Sequence, residues 1–283
     1  MNFPGSVIEV SSWTSLVAAL HSRDLMPVRG AEGGHLRSPY VFRGMDDASW
    51  SIETSLSRLR GITSQNVDLV ERSLIRSFRK YANAGAFDDK SEWYVLAVAQ
   101  HNGLPTRCLD WTASPLVAAH FACADIEYKN KPGSIWCLHA GALREINRRN
   151  NSMTGALSGV AWVYDTRLLE GTFGNLNALG ETIDDSNPSS QLMLLWEPPS
   201  LDARIANQSG LLSIMNSAIA SQNEFLTRYA AEYPELIIRI VIDASAKSEI
   251  RDMLDQSNIS ERTLFPGLPG LCQWLKRYYG TAW

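Results

Sequence analysis

The sequence predicts an α+β fold in which helices flank a central mixed or antiparallel sheet. Its 283 residues, 45% of them hydrophobic, are enough for a sizeable core. Segments with helical and with strand patterns both occur, and neither internal repeats nor low-complexity linkers separate them. We therefore expect a single domain over residues 1–283.

The first half of the chain alternates helix and strand patterns. Apolar spacing and capping residues predict helices over residues 12–22, 66–82 and 91–101. Ser11 or Ser12 is the expected cap of the first helix. PYVFRG, residues 39–44, has the β-branched and aromatic residues of a strand, which we expect to end near Arg43. Gly103 suits a left-handed cap at the end of the third helix. Ser114 and Pro115 predict the start of another helix.

The second half has two strongly apolar segments. GSIWCLH (133–139) and ELIIRIVID (235–243) predict strands, and the continuous apolar run of the second favours a central place in the sheet. Residues 246–256 and 268–279 have the pattern of closing helices. Residues 150–195 are rich in Asn, Ser and Gly, and we expect loops there that cover a site.

Net charge and cysteine content restrict the class of protein. The 26 Lys and Arg and 30 Asp and Glu give a net charge of −4, so no global attraction to nucleic acid or anionic membrane is expected, although a local basic groove is compatible with it. The four cysteines form no Cys-x-x-Cys pair, which argues against a zinc ribbon or a disulfide framework. The N-terminus has no secretory signal pattern and no apolar run spans a membrane. We expect a cytoplasmic protein without membrane contact; its oligomeric state is not predicted.

Arg43 is the first candidate for ligand binding. A guanidinium offers a planar fork to phosphate, and Gly44 beside it would let a ligand approach the backbone. The alternative is an ion pair between Arg43 and an internal carboxylate such as Asp110. The stretch QHNGLPTRCLDWT, residues 100–112, collects further polar groups, and we expect it to share one pocket with Arg43.

Within 100–112 each polar side chain has two interpretations. His101 is a candidate base or a helix-end histidine, Asp110 and Thr112 are ligand contacts or bonds to backbone amides, and Arg107 is a second phosphate contact or a partner of Asp110. A Cys108 nucleophile with His101 as its base is conceivable, but Leu109 beside Cys108 favours a buried thiol. His101, Asp110 and His120 have no compact metal-ligand spacing, so no metal is expected.

Several short motifs occur in a fixed order along the chain. They are Phe42-Arg43-Gly44, the 100–112 stretch, Trp196-Glu197-Pro198, Arg204-Ile205, Gln208-Ser209-Gly210 and Phe265-Pro266-Gly267-Leu268. This ordered set resembles the FRG domain family, from about residue 40 to 275. Met45, Asn102 and Cys108 depart from the family pattern, at positions where we expect effects on packing or on a rim contact.

A second, looser resemblance starts from the same residues. YVFRG is similar to the early strand of ADP-ribosyltransferases, whose arginine holds the phosphates or ribose of NAD, and LDWTASPLVAAHFA is similar to their second motif. Their third motif supplies a catalytic Glu. That Glu is often preceded, two residues earlier, by Gln or Glu. Gln222-Asn223-Glu224 has this spacing, but a chain of this composition would contain about one such segment by chance. The polar turn ending at Gly210 fits its position equally and would place Gln208 where that Glu is expected.

The resemblance implies an α+β enzyme that uses NAD as a substrate, hydrolysing it or transferring ADP-ribose to protein or nucleic acid, as a toxin or an anti-phage effector would. The implied catalytic residues are Gln208, Glu224 and His101. The implied NAD contacts are Arg43, Gly44, Arg107, Asp110, Trp111 and Thr112, with Trp111 or Tyr40 stacked near nicotinamide. The alternative is a non-catalytic module that binds a nucleotide or a phosphorylated partner.

Overall fold

The central feature of the fold is one mixed sheet. The computed structural model describes residues 5–26, 38–82, 85–150, 163–184, 187–199 and 203–280. Within these ranges the strands are β1 (Ser6–Val10), β2 (Tyr40–Met45), β3 (Leu109–Thr112), β4 (Gly133–His139), β5 (Tyr164–Asp165), β6 (Met193–Glu197), β7 (Gly210–Met215) and β8 (Ile237–Ile242). Their order is β1-β8-β4-β2-β3-β7-β6-β5. Only β1/β8 and β5/β6 are parallel pairs, so the predicted mixed sheet is confirmed.

Helices cover both faces of the sheet. They are α1 (Trp13–Leu20), α2 (Val67–Tyr81), α3 (Glu92–His101), α4 (Pro115–Ala122), α5 (Ala140–Asn150), α6 (Thr166–Phe173), α7 (Leu176–Gly180), α8 (Ala203–Gln208), α9 (Gln222–Ala230), α10 (Lys247–Gln256), α11 (Glu261–Leu264) and α12 (Leu268–Tyr278). None of these helices in the described ranges is long and apolar enough to cross a membrane.

Most predicted elements of the first half are confirmed, and their caps explain their limits. Ser12 and Ser15 form a capping box at α1, and Ser114 accepts the Val117 amide at the start of α4, where Pro115 is the first residue. Gly103, with φ +82°, follows the end of α3. In the second half, β4, α10 and α12 also lie where they are predicted.

Three expectations about the strands and loops are wrong. Arg43 does not end its strand, because β2 continues to Met45 and Arg43 is paired with Trp136 of β4. β8 is paired on both sides but is second from the edge, not central. Residues 150–195 are not mainly loop: their described part contains β5, α6, α7 and β6, while residues 151–162 lie outside the described ranges.

The ladder between β2 and β3 is short, and this opens the middle of the sheet. β2 pairs with β4 over six residues, but it meets β3 only at Phe42 and Thr112. β3 then follows β7 over four residues. The two halves of the sheet are therefore joined at a single residue pair, and beyond it side chains must hold β2 and β3 together.

Candidate functional site

A cavity of about 280 Å³ lies where β2, β3 and β7 meet α3, α4 and α8. Its lining residues with charged, amide, imidazole or hydroxyl side chains come from β2, α3, β3 and α8: Arg43, Gln100, His101, Asp110, Thr112, Arg204 and Gln208. The structure thus brings Arg43 and the 100–112 stretch around one cavity. The volume is at the lower end of the range for small-ligand pockets.

Strand register determines which side chains face the cavity. Phe42 pairs with Thr112, and Asp110 pairs with Leu212, so these four residues share one face of the sheet. Trp111 alternates to the opposite face, where its indole N–H donates to Ser213 Oγ at 2.7 Å. Asp110 and Thr112 are therefore oriented toward α3 and α8.

Arg43 closes the gap between β2 and β3. Its Nη1 donates to the backbone carbonyl of Asp110 at 2.7 Å, while its Nε is buried without a hydrogen-bond partner in the described structure. Arg43 therefore bonds the backbone of Asp110, and the expected ion pair with the Asp110 carboxylate is wrong. Burial lowers the pKa of Arg43, and the nearby Asp110 charge opposes this shift. Arg43 is half-buried and lines the cavity at the gap between β2 and β3, while strand alternation places its side chain on the face of β2 opposite Phe42.

A relay of hydrogen bonds orients the Asp110 carboxylate. The Cys108 amide donates to Thr106 Oγ1 at 3.1 Å, and the Thr106 hydroxyl donates to Gln100 Oε1. Because that hydroxyl has one proton, its donation fixes the orientation of the Gln100 amide. Gln100 Nε2 then donates to Asp110 Oδ2 at 2.8 Å. Asp110 is exposed, so the relay presents a carboxylate to the cavity.

This arrangement corrects the interpretation of Asp110 as a turn-forming residue. No hydrogen bond in the described structure joins its carboxylate to a backbone amide or to Arg107. Thr112, in contrast, does organise the turn: its hydroxyl donates to the Gln208 carbonyl at 2.6 Å and accepts the Ser114 amide at 3.0 Å. Thr112 is buried and acts as a structural residue of the cavity wall.

Arg107 has a structural role that neither interpretation anticipated. It is buried, and its Nε donates to both carboxylate oxygens of Glu71 at 2.8 and 2.7 Å, with Asp68 3.7 Å away. Its side chain points toward α2 and does not line the cavity. The predictions that Arg107 contacts a phosphate or pairs with Asp110 are both wrong. A buried arginine needs a paired carboxylate, and α2 supplies one.

Two of the expected NAD contacts have packing roles. The Tyr40 hydroxyl donates to the Glu235 carbonyl at 3.0 Å, and Tyr40 lies outside the cavity lining, so it cannot stack on a ligand there. Gly44 borders the cavity, but a Cβ at this position would lie 1.9 Å from the Ala118 carbonyl. Gly44 is therefore required by the close approach of α4 to β2 rather than by the approach of a ligand.

The predicted catalytic residues are separated by the structure. Gln208 and His101 both line the cavity, and the Gln208 amide nitrogen donates to the Leu264 carbonyl at 3.0 Å. Glu224 lies in the first turn of α9, outside the cavity lining. Gln222, two residues earlier, is buried and accepts a hydrogen bond from Ser213 Oγ at 2.5 Å. The Gln222–Glu224 segment is thus part of the packed α9 helix.

Two residues of the site had no role assigned from the sequence. Gln100 holds Asp110, although it opens the motif that drew attention to the region. Arg204 lines the cavity, with its guanidinium 4.9 Å from the Phe265 ring centre, and its Nη1 donates to the His101 carbonyl at 3.5 Å. The motifs that contain Arg204 and Phe265 were recognisable, but their contact depends on the tertiary fold.

The geometry does not support a Cys108 nucleophile or a metal site in the described part of the chain. Cys108 is buried, and this burial raises the pKa of its thiol well above the usual value, which disfavours the reactive thiolate. In the described part of the chain no group of three or more His, Cys, Asp or Glu side chains could hold a metal ion.

Comparison with protein families gives one match, to the FRG domain, over residues 38–131. The chain carries an FRG domain. No curated protein and no solved structure matches it. The matched residues include β2, α2, α3, β3 and α4, and so contribute Arg43, Gln100 and Asp110 to the site. The resemblance to ADP-ribosyltransferases remains a prediction.

The tripeptide that names the FRG domain has three separate tasks here. Phe42 is buried in the core and pairs with Thr112. Arg43 bonds the carbonyl of Asp110, and Gly44 admits α4. The FRG domain builds one wall of the cavity, while residues after 131, including Arg204, Gln208 and Leu212, build the other.

Proposed function

We propose that this FRG-domain protein is an enzyme that uses NAD as its substrate and breaks the bond between nicotinamide and ribose. One observation carries the proposal: Asp110, whose carboxylate is oriented by Gln100, and Arg43, whose guanidinium bonds the Asp110 carbonyl, line the same cavity. A negative group for a cationic reacting centre and a positive group for a diphosphate are the two charges that NAD requires.

The chemistry needs few groups. The C1′–N1 bond of the nicotinamide ribose breaks, and its electron pair leaves with nicotinamide as a neutral base, so no acid is required. The ribose becomes oxocarbenium-like, and a nearby carboxylate stabilises its positive charge. Water or an acceptor hydroxyl then bonds C1′ and gives its proton to the Asp110 carboxylate. The products are nicotinamide and either ADP-ribose or an ADP-ribosylated acceptor.

The other residues of the cavity take supporting roles in this proposal. Arg43 and Arg204 would contact the diphosphate, and Gln208 would bond a ribose hydroxyl in place of the Glu of the resembled enzymes. His101, at the end of α3, would contact the second ribose or the acceptor. A cavity of about 280 Å³ encloses one half of a dinucleotide, so the other half would lie outside it. Loss of cellular NAD would suit a toxin or an anti-phage effector.

A second candidate is a nucleotide-binding module without catalysis. The scarcity of acidic side chains favours this candidate. Asp110 is the single acidic residue among the described lining residues, and none of them is a Glu, the residue that is catalytic in the resembled enzymes. In this case the same two arginines would bind a nucleotide or a phosphorylated partner, and Asp110 would bond a hydroxyl.

Two measurements on the purified protein separate these candidates. Calorimetric titration with NAD measures binding, and chromatographic detection of free nicotinamide measures cleavage. Binding with nicotinamide release supports the enzyme. Binding without release supports the module. Failure of NAD, ADP-ribose and AMP to bind would contradict the enzyme and a nucleotide-binding module alike, and would leave a phosphorylated partner as the ligand.

A further inference from the structure

The solvent face of α2 is a continuous basic stripe. Arg72, Arg76, Arg79 and Lys80 are exposed, and their spacing places them on one side of the helix, opposite the buried residues Val67, Glu71 and Ile75. From the loop before α2 to the residue after it, residues 58–82 contain six basic and two acidic residues, in a chain of net charge −4. Positive charge is thus concentrated locally.

The stripe has no acidic partner within the described part of the chain. The two acidic residues of α2, Asp68 and Glu71, both face Arg107 instead. On α5, by comparison, two exposed arginines are paired: Arg148 with Glu145, and Arg149 with Glu232. The basic residues of the α2 stripe therefore differ from Arg148 and Arg149 in lacking a paired carboxylate within the described residues.

Helix stability does not account for the stripe. Cations in the last turn interact favourably with the helix dipole, which explains Arg79 and Lys80. Arg72 and Arg76 lie before that turn. Moreover, Arg72 with Arg76, and Arg76 with Lys80, are like charges four residues apart, an arrangement that destabilises a helix. A bound polyanion would relieve this repulsion.

We propose that the α2 stripe binds the phosphate backbone of a double-stranded nucleic acid. The nine residues from Arg72 to Lys80 span about 12 Å along the helix axis, a length that reaches several phosphates of one strand. Arginine forks suit phosphate oxygens. A single strand would need several aromatic stacking platforms, and a protein partner would need an apolar anchor. The described α2 helix exposes only two large apolar side chains, Leu69 near its start and Tyr81 at its end, where the Tyr81 ring lies under Lys80. This binding does not depend on NAD chemistry.

Fluorescence anisotropy with a DNA duplex about two helical turns long tests the proposal. Four phosphate contacts predict a log–log salt slope of roughly −3.6, and hence about a 100-fold loss of affinity between about 50 and 200 mM salt. Arg72→Gln/Arg76→Gln should lower the size of the slope by about 2. The control Arg148→Gln/Arg149→Gln removes the same charge from α5 and should leave the slope unchanged.

The possible results of this experiment either support or contradict binding of a duplex by the α2 stripe. Loss of slope in the α2 variant alone, with both variants folded by circular dichroism, supports the stripe. Equal losses in both variants would indicate attraction by overall charge and contradict it. Absence of duplex binding by the wild-type protein, or tighter binding of polyglutamate or of a single strand than of the duplex, would also overturn it.

Discussion

The guanidinium of Arg43 donates a hydrogen bond of 2.7 Å to the backbone carbonyl of Asp110. This bond joins β2 to β3 just beyond their single residue pair, and it places the charge of Arg43 beside the residue whose carboxylate the cavity presents. Sheet integrity and the proposed ligand site therefore share one arginine.

Arg43→Ala should consequently lower both stability and nucleotide binding. The Asp110 carbonyl loses its charged donor, which should cost about 1–3 kcal/mol of unfolding free energy. Arg43→Lys retains one donor and should recover part of this stability, but little of the binding, because an ammonium lacks the planar fork. Urea denaturation and calorimetric titration of both variants measure the two effects. Unchanged stability in Arg43→Ala would show that the bond to Asp110 is unimportant.

Gly44→Ala should be strongly destabilising because of α4. The added Cβ would lie 1.9 Å from the Ala118 carbonyl and 2.7 Å from the Ala122 amide nitrogen, so helix and strand must separate, at about 1–3 kcal/mol or more. Gly171→Ala is the matched control, since its Cβ meets no atom within 4 Å and it lies inside α6. The control should be neutral or stabilise by up to about 1 kcal/mol. Comparable thermal midpoints for the two variants would contradict this packing.

Thr106→Val should disturb the orientation of Asp110. The variant removes the hydroxyl that links the Cys108 amide to Gln100, and leaving the buried Cys108 amide without its acceptor should cost about 1–3 kcal/mol of unfolding free energy. Thr106→Ser retains the hydroxyl and should restore most of the stability and any NAD cleavage. The comparison of the two variants by urea denaturation and nicotinamide release checks the relay; identical behaviour of Val and Ser at this position would contradict it.

His120 should make the protein sensitive to mild acid. Burial, and secondarily Arg251, lower the pKa of His120 to about 3, and Arg251 Nη1 lies 2.6 Å from His120 Nδ1. Arg251 also donates to Glu261, which in turn binds Arg277. The unfolded chain, with a histidine pKa near 6.5, takes up the proton first, so stability is full above about pH 6.5 and falls toward pH 3.

The expected loss from His120 between about pH 7.5 and 5 is roughly 2 kcal/mol. His120→Gln keeps an acceptor for Arg251 and should remove this part of the pH dependence. Urea denaturation at the two pH values measures it in both proteins. An equal pH dependence in wild type and variant would assign the acid sensitivity to other groups.

Local signals predicted the elements of the fold better than the contacts of the site. Ser12, Ser114, Pro115 and Gly103 mark helix limits by capping chemistry that depends only on neighbouring residues. The extent of β2 beyond Arg43 depends on its pairing with β4, which no local pattern contains.

The errors at the site have the same origin. Arg107 is close to Asp110 in sequence, but its partner is Glu71, 36 positions earlier. Gln100 was not singled out because its importance comes from two contacts, with Thr106 and Asp110, that require the turn to be folded. Side-chain types indicated the region of the site, and only the fold shows which of them meet.

The rate of nicotinamide release from NAD by wild-type protein and by Asp110→Asn tests the central claim most directly. Because Asp110 is exposed and bonded only through Gln100 in the described structure, Asp110→Asn should leave the thermal midpoint nearly unchanged. We predict that the wild-type protein releases nicotinamide and that Asp110→Asn loses at least about 100-fold of this rate, the scale of a lost charge-stabilising group. No release by the wild-type protein, or an equal rate in the variant, would contradict the proposed role of Asp110.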